Sequence, residues 1–554
     1  MSTKQKNVAE FIVDCLEAEG VKYVFGIPGE ENIKFVRAIT ASEKIRFILV
    51  RHEQAASFMA DIYGRLTGKA GVCTATLGPG AINLLLGVAD AQTDSTPLVA
   101  ISAQVGLNRI YKESHQIVDL VSMFKPVTKW ADTIYSPESV PEMVRKAFTL
   151  SQEERPGATY LAIPQDIEAT EIPAHYAVIK PRSLGKTYPA SEQVKKAAVI
   201  LRNAKYPVIL SGHGVARTGA SQSLNDFVNK YKIPTASSFM GKGTLSDRNE
   251  HALGVIGFMR HDYENFTFDK ADVILSVGYE LQEFSPQRIN PCGDKKIIHI
   301  NTFASDIDSC YNVDVSIESD IDLALSALGA ALGEEPLHAQ HNASQIRTFI
   351  NEELDNGRAS SHYPLKPQRV VADIRAAMGD NDIVLADTGA VKMWMSRLYP
   401  TYEPLTCITS NGLSTMAFSL PGAMAAKLAY PDRKVLAVMG DGSFMMNSQE
   451  IETAVRESIP LVVLVWVDNS YGLIKWKMDI EEGAHDTVDF GNPDFVKYAE
   501  SFGANGYHIN STDELLPTLN RALSENGVSI IACPIDYSEN MKLVESLGEL
   551  TISL

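Results

Sequence analysis

GDGSFMMNSQEIETAVRESIPLVVLVWVDNSYG, residues 440–472, sets two acids, Asp441 and Asp468, each directly after a run of strand-forming apolar residues. The run that leads into it, KVLAVMG, and the run inside it, PLVVLVWV, are nearly continuous in apolar residues, as strands buried on both faces are. Between them, NSQEIETAVRESI places Ile451, Ala454 and Val455 on one helical face and charges on the other, with Asn447 or Ser448 as its cap. Strand, helix and strand in this order predict a right-handed βαβ unit of a parallel sheet. Both carboxylates then leave neighbouring strands at their carboxyl ends, where open α/β sheets bind ligands. Ser443 opens a predicted polar turn whose backbone N–H groups face an anion, and Gly440 and Gly442 let it approach without a Cβ in the way. Two oxygen donors beside glycines suit Mg²⁺ bridged to phosphate oxygens. Gly-Asp-Gly alone is a common turn. The joint pattern carries the meaning.

Working outward, the same alternation fills the chain. KYVFGIPG, IRFILV, AGVCTATLG, TPLVAISA, YPVILSG, ADVILSVG, KKIIHIN and DIVLADTG are short apolar runs separated by helical patterns. At 554 residues the chain is too long for one core. Two polar, proline-bearing stretches, 170–189 and one within 338–367, read as linkers. The expectation is an α/β protein of three doubly wound parallel-sheet domains, spanning 1–170, 190–337 and 366–554. A hydrophobic content of 45% supplies large cores. A formal net charge of −18 argues against nucleic-acid binding. No apolar run reaches membrane-spanning length, and MSTKQKNVAEFIVDCLEAEG reads as a capped amphipathic helix without a signal core. The six cysteines form no CxxC pair, which excludes the usual zinc spacings and points to reduced thiols and the cytoplasm.

Gly440-Asp441-Gly442 followed by Asp468-Asn469 resembles the diphosphate-binding motif of thiamine diphosphate enzymes. The resemblance implies Mg²⁺ on Asp441, Asp468 and the Ser470 carbonyl, with Asp468 where most of that superfamily has Asn. RHEQAASFMADIYGRLTG (51–68) resembles the pyrimidine-binding domain of the same enzymes. It begins just after the strand RFILV, at the start of a predicted amphipathic helix. Glu53 is then the carboxyl that hydrogen-bonds the aminopyrimidine ring, favours its imino tautomer and so creates an internal base for thiazolium C2. An isolated acid in a first helical turn has a plainer reading, since the helix dipole favours it. FGIPGEEN (25–32) and TLGPGAIN (76–83), with Pro28 and Gly78, line the pyrimidine pocket by the same resemblance. The resemblance further implies diphosphate contacts from Gly389, Ala390 and Val391 of ADTGAVKMWMSRLYP and from Gly440, Gly442 and Ser443. EPLTCITSNGLSTMAFSLPGAMAAKLA resembles the family segment beneath the thiazolium, which implies that Ser414 meets the pyrimidine edge and Met416 bends the cofactor. The family also implies a homodimer or homotetramer with active sites between subunits.

Over essentially its full length the chain is similar to acetolactate synthases, in particular the catabolic type. KESHQIVDLVSMFKPVTKW carries Gln116 at the family's active-site glutamine, and DFGNPDFVKYAESFGA and PIDYSENMKL add to the match. The implied reaction loses CO₂ from one pyruvate and adds the resulting carbanion to a second, giving 2-acetolactate, with bulk protons excluded. SVGYELQEFSPQRINP stands where flavin-binding relatives carry an RFDDR-like stretch, so FAD is not expected to be required. Val391 replaces a family histidine. By the same resemblance the residue that helps select the acceptor keto acid falls at Lys477, beside Trp476; a lysine there either pairs with an acceptor carboxylate or is a solvated surface charge, the commoner case. A 2-keto acid decarboxylase, a pyruvate-dependent carboligase with another acceptor, and a flavin oxidase remain open at this stage. So does a thiamine-fold protein without catalysis. A generic nucleotide-binding protein is weaker, because no GxxxxGK[ST] loop is present.

Overall fold

The structure, a computed structural model, describes residues 6–172, 175–182, 185–257, 262–337 and 343–543. These form three six-stranded sheets in which every paired neighbour is parallel. The first contains β1 (Tyr23–Gly26), β2 (Arg46–Leu49), β3 (Gly71–Ala75), β4 (Leu98–Gln104), β5 (Trp130–Thr133) and β6 (Ala158–Pro164), in the order β2-β1-β3-β4-β6-β5. The second contains β7 (Pro207–Ser211), β8 (Thr235–Ser237), β9 (Ala252–Val255), β10 (Val273–Val277), β11 (Lys296–Asn301) and β12 (Val313–Glu318), ordered β12-β11-β10-β7-β8-β9. The third contains β13 (Ile383–Ala386), β14 (Cys407–Ile408), β15 (Val435–Gly440), β16 (Leu461–Val467), β17 (Asn505–His508) and β18 (Val528–Pro534), ordered β14-β13-β15-β16-β18-β17. Each order reverses beside its first strand, between β1 and β3, between β7 and β10, and between β13 and β15; the first and third also double back at one edge, at β6-β5 and β18-β17. Those three points are where a doubly wound sheet opens a crevice at its carboxyl edge.

The strands form because their residues are apolar on both faces. β3, β4, β6, β7 and β10 are buried throughout, and Leu461–Trp466 of β16 likewise. Each fully buried Val, Leu or Ile contributes about 1.5–3 kcal/mol over its exposed state. Compactness divides the chain into two units. One is built around the first sheet together with Leu413–Asp432 and Met446–Pro460; the other holds the second and third sheets.

Four expectations change. The segment after Gly440 is not a polar turn: a helix starts at Asp441 and runs to Asn447, so Ser443 lies inside it. A second helix, Glu450–Arg456, starts after Gln449, which makes no side-chain cap, so neither Asn447 nor Ser448 is the cap. The helix Glu53–Thr67 is buried on every side from Ala55 to Leu66 rather than on one face. Within the second linker, Ala343–Arg358 is a helix whose Ile346, Ile350 and Leu354 enter a core cluster; residues 338–342 lie outside the described residues. The first linker carries no helix or strand where it is described, apart from the isolated bridge Asn7↔Glu171; residues 173–174 and 183–184 lie outside. The amino-terminal helix Val8–Ala18 is capped, with Asn7 and Glu10 exchanging side-chain bonds to backbone N–H groups at 2.9 and 3.0 Å.

Candidate active site

In the third sheet, β15 and β16 pair in parallel with Gly440 opposite Trp466. That register sends Asp441 and Asp468 off adjacent strand ends. The Asp441 carboxylate is buried and well supported. Its Oδ2 accepts from the backbone N–H of Asn469 (2.7 Å) and Asp468 (3.2 Å) and from Asn492 Nδ2 (2.8 Å); its Oδ1 accepts from the N–H of Gly442 (2.8 Å). Asn469 takes a left-handed φ of 56° to turn the chain back over that carboxylate. Burial raises both acids, and the Asp441 charge helps push Asp468 up to about 7. Two like charges side by side, one buried and one half-buried, call for a cation. Ser470 is buried next to them, its Oγ donating to the Val488 carbonyl at 3.3 Å.

Across the strand-order reversal, Ser443 Oγ donates to Asp387 Oδ1 at 2.7 Å, tying the end of β15 to the end of β13. Gly389 follows at φ 126°, and Ala390 and Val391 open the helix Ala390–Leu398, whose first N–H groups have no intrahelical acceptor. A Cβ added at Gly389 or at Gly440 would enter open space. Gly442 has a different reason to lack one. Its Cβ would come within 2.8 Å of the Tyr471 ring and 3.0 Å of the Phe490 ring.

A cavity of about 450 Å³ is lined by Asp468, Gly472, Lys475, Trp476, Asp479 and Tyr537, among others. Lys475 ion-pairs with Asp489 at 2.9 Å and favours the ionised form of Asp468. Lys477 lies on the same helix, Gly472–Glu481, but is exposed and does not line the cavity, whereas Trp476 is buried. Helical spacing turns adjacent residues about 100° apart, and the apolar neighbour takes the inward position.

In the first sheet, the reversal between β1 and β3 brings together the loops expected to act together. Glu53 opens its helix directly after the turn that follows β2, and its Oε2 accepts from Asn83 Nδ2 at 3.0 Å. Asn83 sits on the helix Pro79–Thr93, which approaches closely because Gly87 faces Ser57: a Cβ there would lie 2.4 Å from Ser57 Oγ. Further along, Arg65 ties the two helices by pairing with Asp94 at 2.9 Å, fully buried. Thr76 Oγ1 donates to Glu31 Oε2 at 2.8 Å, joining the loop that follows Pro28 to the one that leads to Gly78. Gly78 (φ 56°) touches Gln116, itself left-handed at φ 59° and exposed; a Cβ at Gly78 would lie 2.9 Å from the Gln116 carbonyl oxygen. Met416 is half-buried between two left-handed residues, Ser414 (φ 51°) and Ala417 (φ 72°).

Sequence reasoning missed Asn83, Asp387, Asn492 and Lys475. Asp387 follows its strand as Asp441 follows β15, and that repeated strand-Asp signal was readable. Nothing in the sequence marks Asn492, which comes from a loop without periodicity.

Comparison with known proteins identifies the domains that carry these residues. Residues 6–123, 194–328 and 387–533 match, in turn, the N-terminal TPP binding domain, the central domain and the C-terminal TPP binding domain of thiamine pyrophosphate enzymes. The acetolactate synthase of Bacillus subtilis (strain 168) is 36% identical over 98% of this chain and 96% of its own length. The catabolic acetolactate synthase of Raoultella terrigena is 33% identical over 98% and 97%. The acetolactate synthase isozyme 3 large subunit of Escherichia coli (strain K12) is 33% identical over 98% and 96%. With three domains matched in order and similarity along nearly the whole length, the chain belongs to the acetolactate synthase family of thiamine pyrophosphate enzymes.

Proposed function

We propose that this chain condenses two molecules of pyruvate to 2-acetolactate and CO₂, using thiamine diphosphate held through Mg²⁺. The observation that carries the reading is the carboxylate pair at the strand-order reversal of the third sheet, Asp441 buried and Asp468 half-buried beside it, next to two glycines facing open space. The full-length similarity to acetolactate synthases supports the substrate and product.

The residues fit the absent groups. Two carboxylates and the Ser470 carbonyl form an all-oxygen donor set suited to a hard divalent cation, which would relieve the repulsion between the acids. The N–H groups of Gly389, Ala390 and Val391, with Gly440, Gly442 and Ser443, would hold the diphosphate at helix starts. Thiamine diphosphate, when bound, supplies the electron sink for loss of CO₂ from a keto acid. Pro28, Gly78, Ser414 and Met416 are assigned to shaping the ring pocket. Glu53 holds or releases a proton at its carboxyl, oriented by Asn83. Gln116, against Gly78, is assigned to the keto acid. Lys475 replaces Lys477 as the cation nearest the cavity.

The same reading makes the working protein a homo-oligomer with sites shared between subunits, placed in the cytoplasm, with no requirement for FAD. Among the described residues, no helix is long and apolar enough to cross a membrane. What supports the reading without a flavin is the buried Glu283 at the β7/β10 reversal, which the chain itself holds in place. Its carboxylate accepts from the N–H of His213 (3.1 Å) and Glu280 (2.9 Å) and from Ser238 Oγ.

Incubation with pyruvate, thiamine diphosphate and Mg²⁺, with FAD omitted, is expected to yield acetolactate. Acetaldehyde without acetolactate or acetoin would overturn the proposal in favour of a decarboxylase. Glu53→Gln is expected to retain cofactor and lose about 10²–10⁴-fold in kcat, the usual range for general acid–base catalysis.

A further inference from the structure

Glu450 has no part in the roles assigned above, yet it is 0% exposed. Its carboxylate is spent on the backbone that leads into Glu53. Oε1 accepts from the N–H groups of Arg51 (3.1 Å) and His52 (3.0 Å), and Oε2 accepts from the Arg51 N–H (3.2 Å) and from Thr453 Oγ1 (2.7 Å). His52 is the N-cap of the helix that Glu53 opens, and its Nδ1 accepts from the Gln54 N–H at 3.1 Å. The same short helix makes two more attachments to this turn and the strand before it. Arg456 donates to the Leu49 carbonyl at 2.5 Å, and Glu457, just past the helix, pairs with Arg46 at 2.5 Å. The segment Glu450–Glu457 therefore straps the end of β2 and the turn after it.

Helix starts are ordinarily satisfied by a Ser, Thr, Asp or Asn at the cap itself. Burying a glutamate from a distant part of the sequence is a costly way to satisfy two amides, since a buried acid must be compensated by several donors. Burial pushes this carboxyl up to about 7 even with those donors in place. The return on that cost is placement: with Arg51 and His52 fixed on one side and Asn83 holding Oε2 on the other, the Glu53 carboxyl has little freedom left.

We propose that Glu450 is a positioning residue for Glu53, clamping the β2-to-helix turn so that the Glu53 carboxyl is presented in one orientation. The proposal rests on the reading of Glu53 as the carboxyl that serves the cofactor ring. A misplacement of about 1 Å at a reacting group costs up to about 10²-fold. Glu450→Ala is accordingly expected to lower kcat about 10–100-fold with KM for pyruvate little changed. In the cofactor-free protein, the amides of Arg51 and His52 should exchange hydrogen faster. Glu450→Gln should stay within about threefold of the parent, because one amide oxygen can still accept from both N–H groups and its NH₂ can donate to Thr453 Oγ1. Glu450→Asp, which withdraws the carboxylate by one methylene, should fall between them and serves if the alanine variant does not fold. Parent-like kcat in a folded Glu450→Ala or Glu450→Asp protein would overturn the proposal. So would a lowered kcat with unchanged exchange at residues 51 and 52. Full activity in Glu53→Gln would instead sink the role of Glu53, whereas an inactive Glu53→Gln beside a fully active Glu450→Ala removes only the clamp.

Discussion

The second and third sheets reverse their strand order in the same way, at β7/β10 and at β13/β15, and each carries glycines and buried acids at that point. They use them oppositely. At β13/β15 a Cβ on Gly389 or Gly440 would meet nothing, and the acids Asp441 and Asp468 stand side by side, the charge of Asp441 raising Asp468 more than Lys475 lowers it. At β7/β10 a Cβ on Gly212 would lie 2.3 Å from Tyr279 Cα, and the acid Glu283 is consumed by the chain's own N–H groups and Ser238. Glu280 beside it is paired with Arg217 at 2.9 Å. One crevice is left open for a ligand and the other is filled by the protein. A doubly wound topology therefore offers a site but does not assign one; the side chains at the reversal decide.

The largest effect that would break the comparison is at Asp441. Asp441→Ala should abolish Mg²⁺-dependent retention of thiamine diphosphate, with cofactor affinity lower by about 100-fold or more, since even groups that only support a metal ligand cost 10–100-fold. Equilibrium titration of cofactor in the presence of Mg²⁺ reads this directly. Unchanged affinity would mean that the open crevice is not the cofactor's. Next in size is a matched pair of glycine substitutions. Gly440→Ala should leave unfolding of the cofactor-free protein nearly unchanged and weaken the cofactor about tenfold, roughly 1.4 kcal/mol. Gly212→Ala should do the reverse, destabilising the cofactor-free fold by about 1–3 kcal/mol through overpacking. Calorimetry of the two variants with and without cofactor settles which crevice is spare room.

The open crevice was legible in the sequence because its signals are local. A strand run ending in Gly-Asp-Gly and a second ending in Asp468 must lie side by side once the βαβ rule is applied. The same logic placed Glu53 after β2. What stayed hidden depends on partners distant in sequence. Glu450 read as one of the charges on the outer face of its helix, yet it is buried, because the amides of Arg51 and His52 compensate it. The helix Ala343–Arg358 read as linker because polar residues dominate its composition, although Ile346, Ile350 and Leu354 recur at helical spacing. Lys477 and Trp476 could not be told apart as inward residues without knowing the phase of their helix. Gly442 read only as a phosphate glycine, and the Tyr471–Phe490 ring pair, with centroids 5.0 Å apart, gives it a second reason to lack a Cβ.

The smallest expected effect tests the filled crevice through pH. Glu283 is raised from 4.5 to about 8, first by burial and then by the charge of Glu280. Between those two values the folded chain binds this proton and the unfolded chain does not, so stability falls as pH rises through that window. Above about 8 the folded form must hold the charge in place and the penalty is complete. Glu283→Gln keeps the shape, lets one oxygen accept from His213 and Glu280, and offers an NH₂ to Ser238, so it resembles the protonated acid at every pH. The parent's melting temperature minus the variant's should therefore become smaller from pH 5 to pH 8, by a few degrees, with activity at fixed cofactor little changed. A difference that stays flat across that range would mean the carboxylate is already ionised in the fold, held as an anion by its donors. The central crevice would then be an anion seat occupied from within, and replacing Glu283 by alanine should open it to added phosphate.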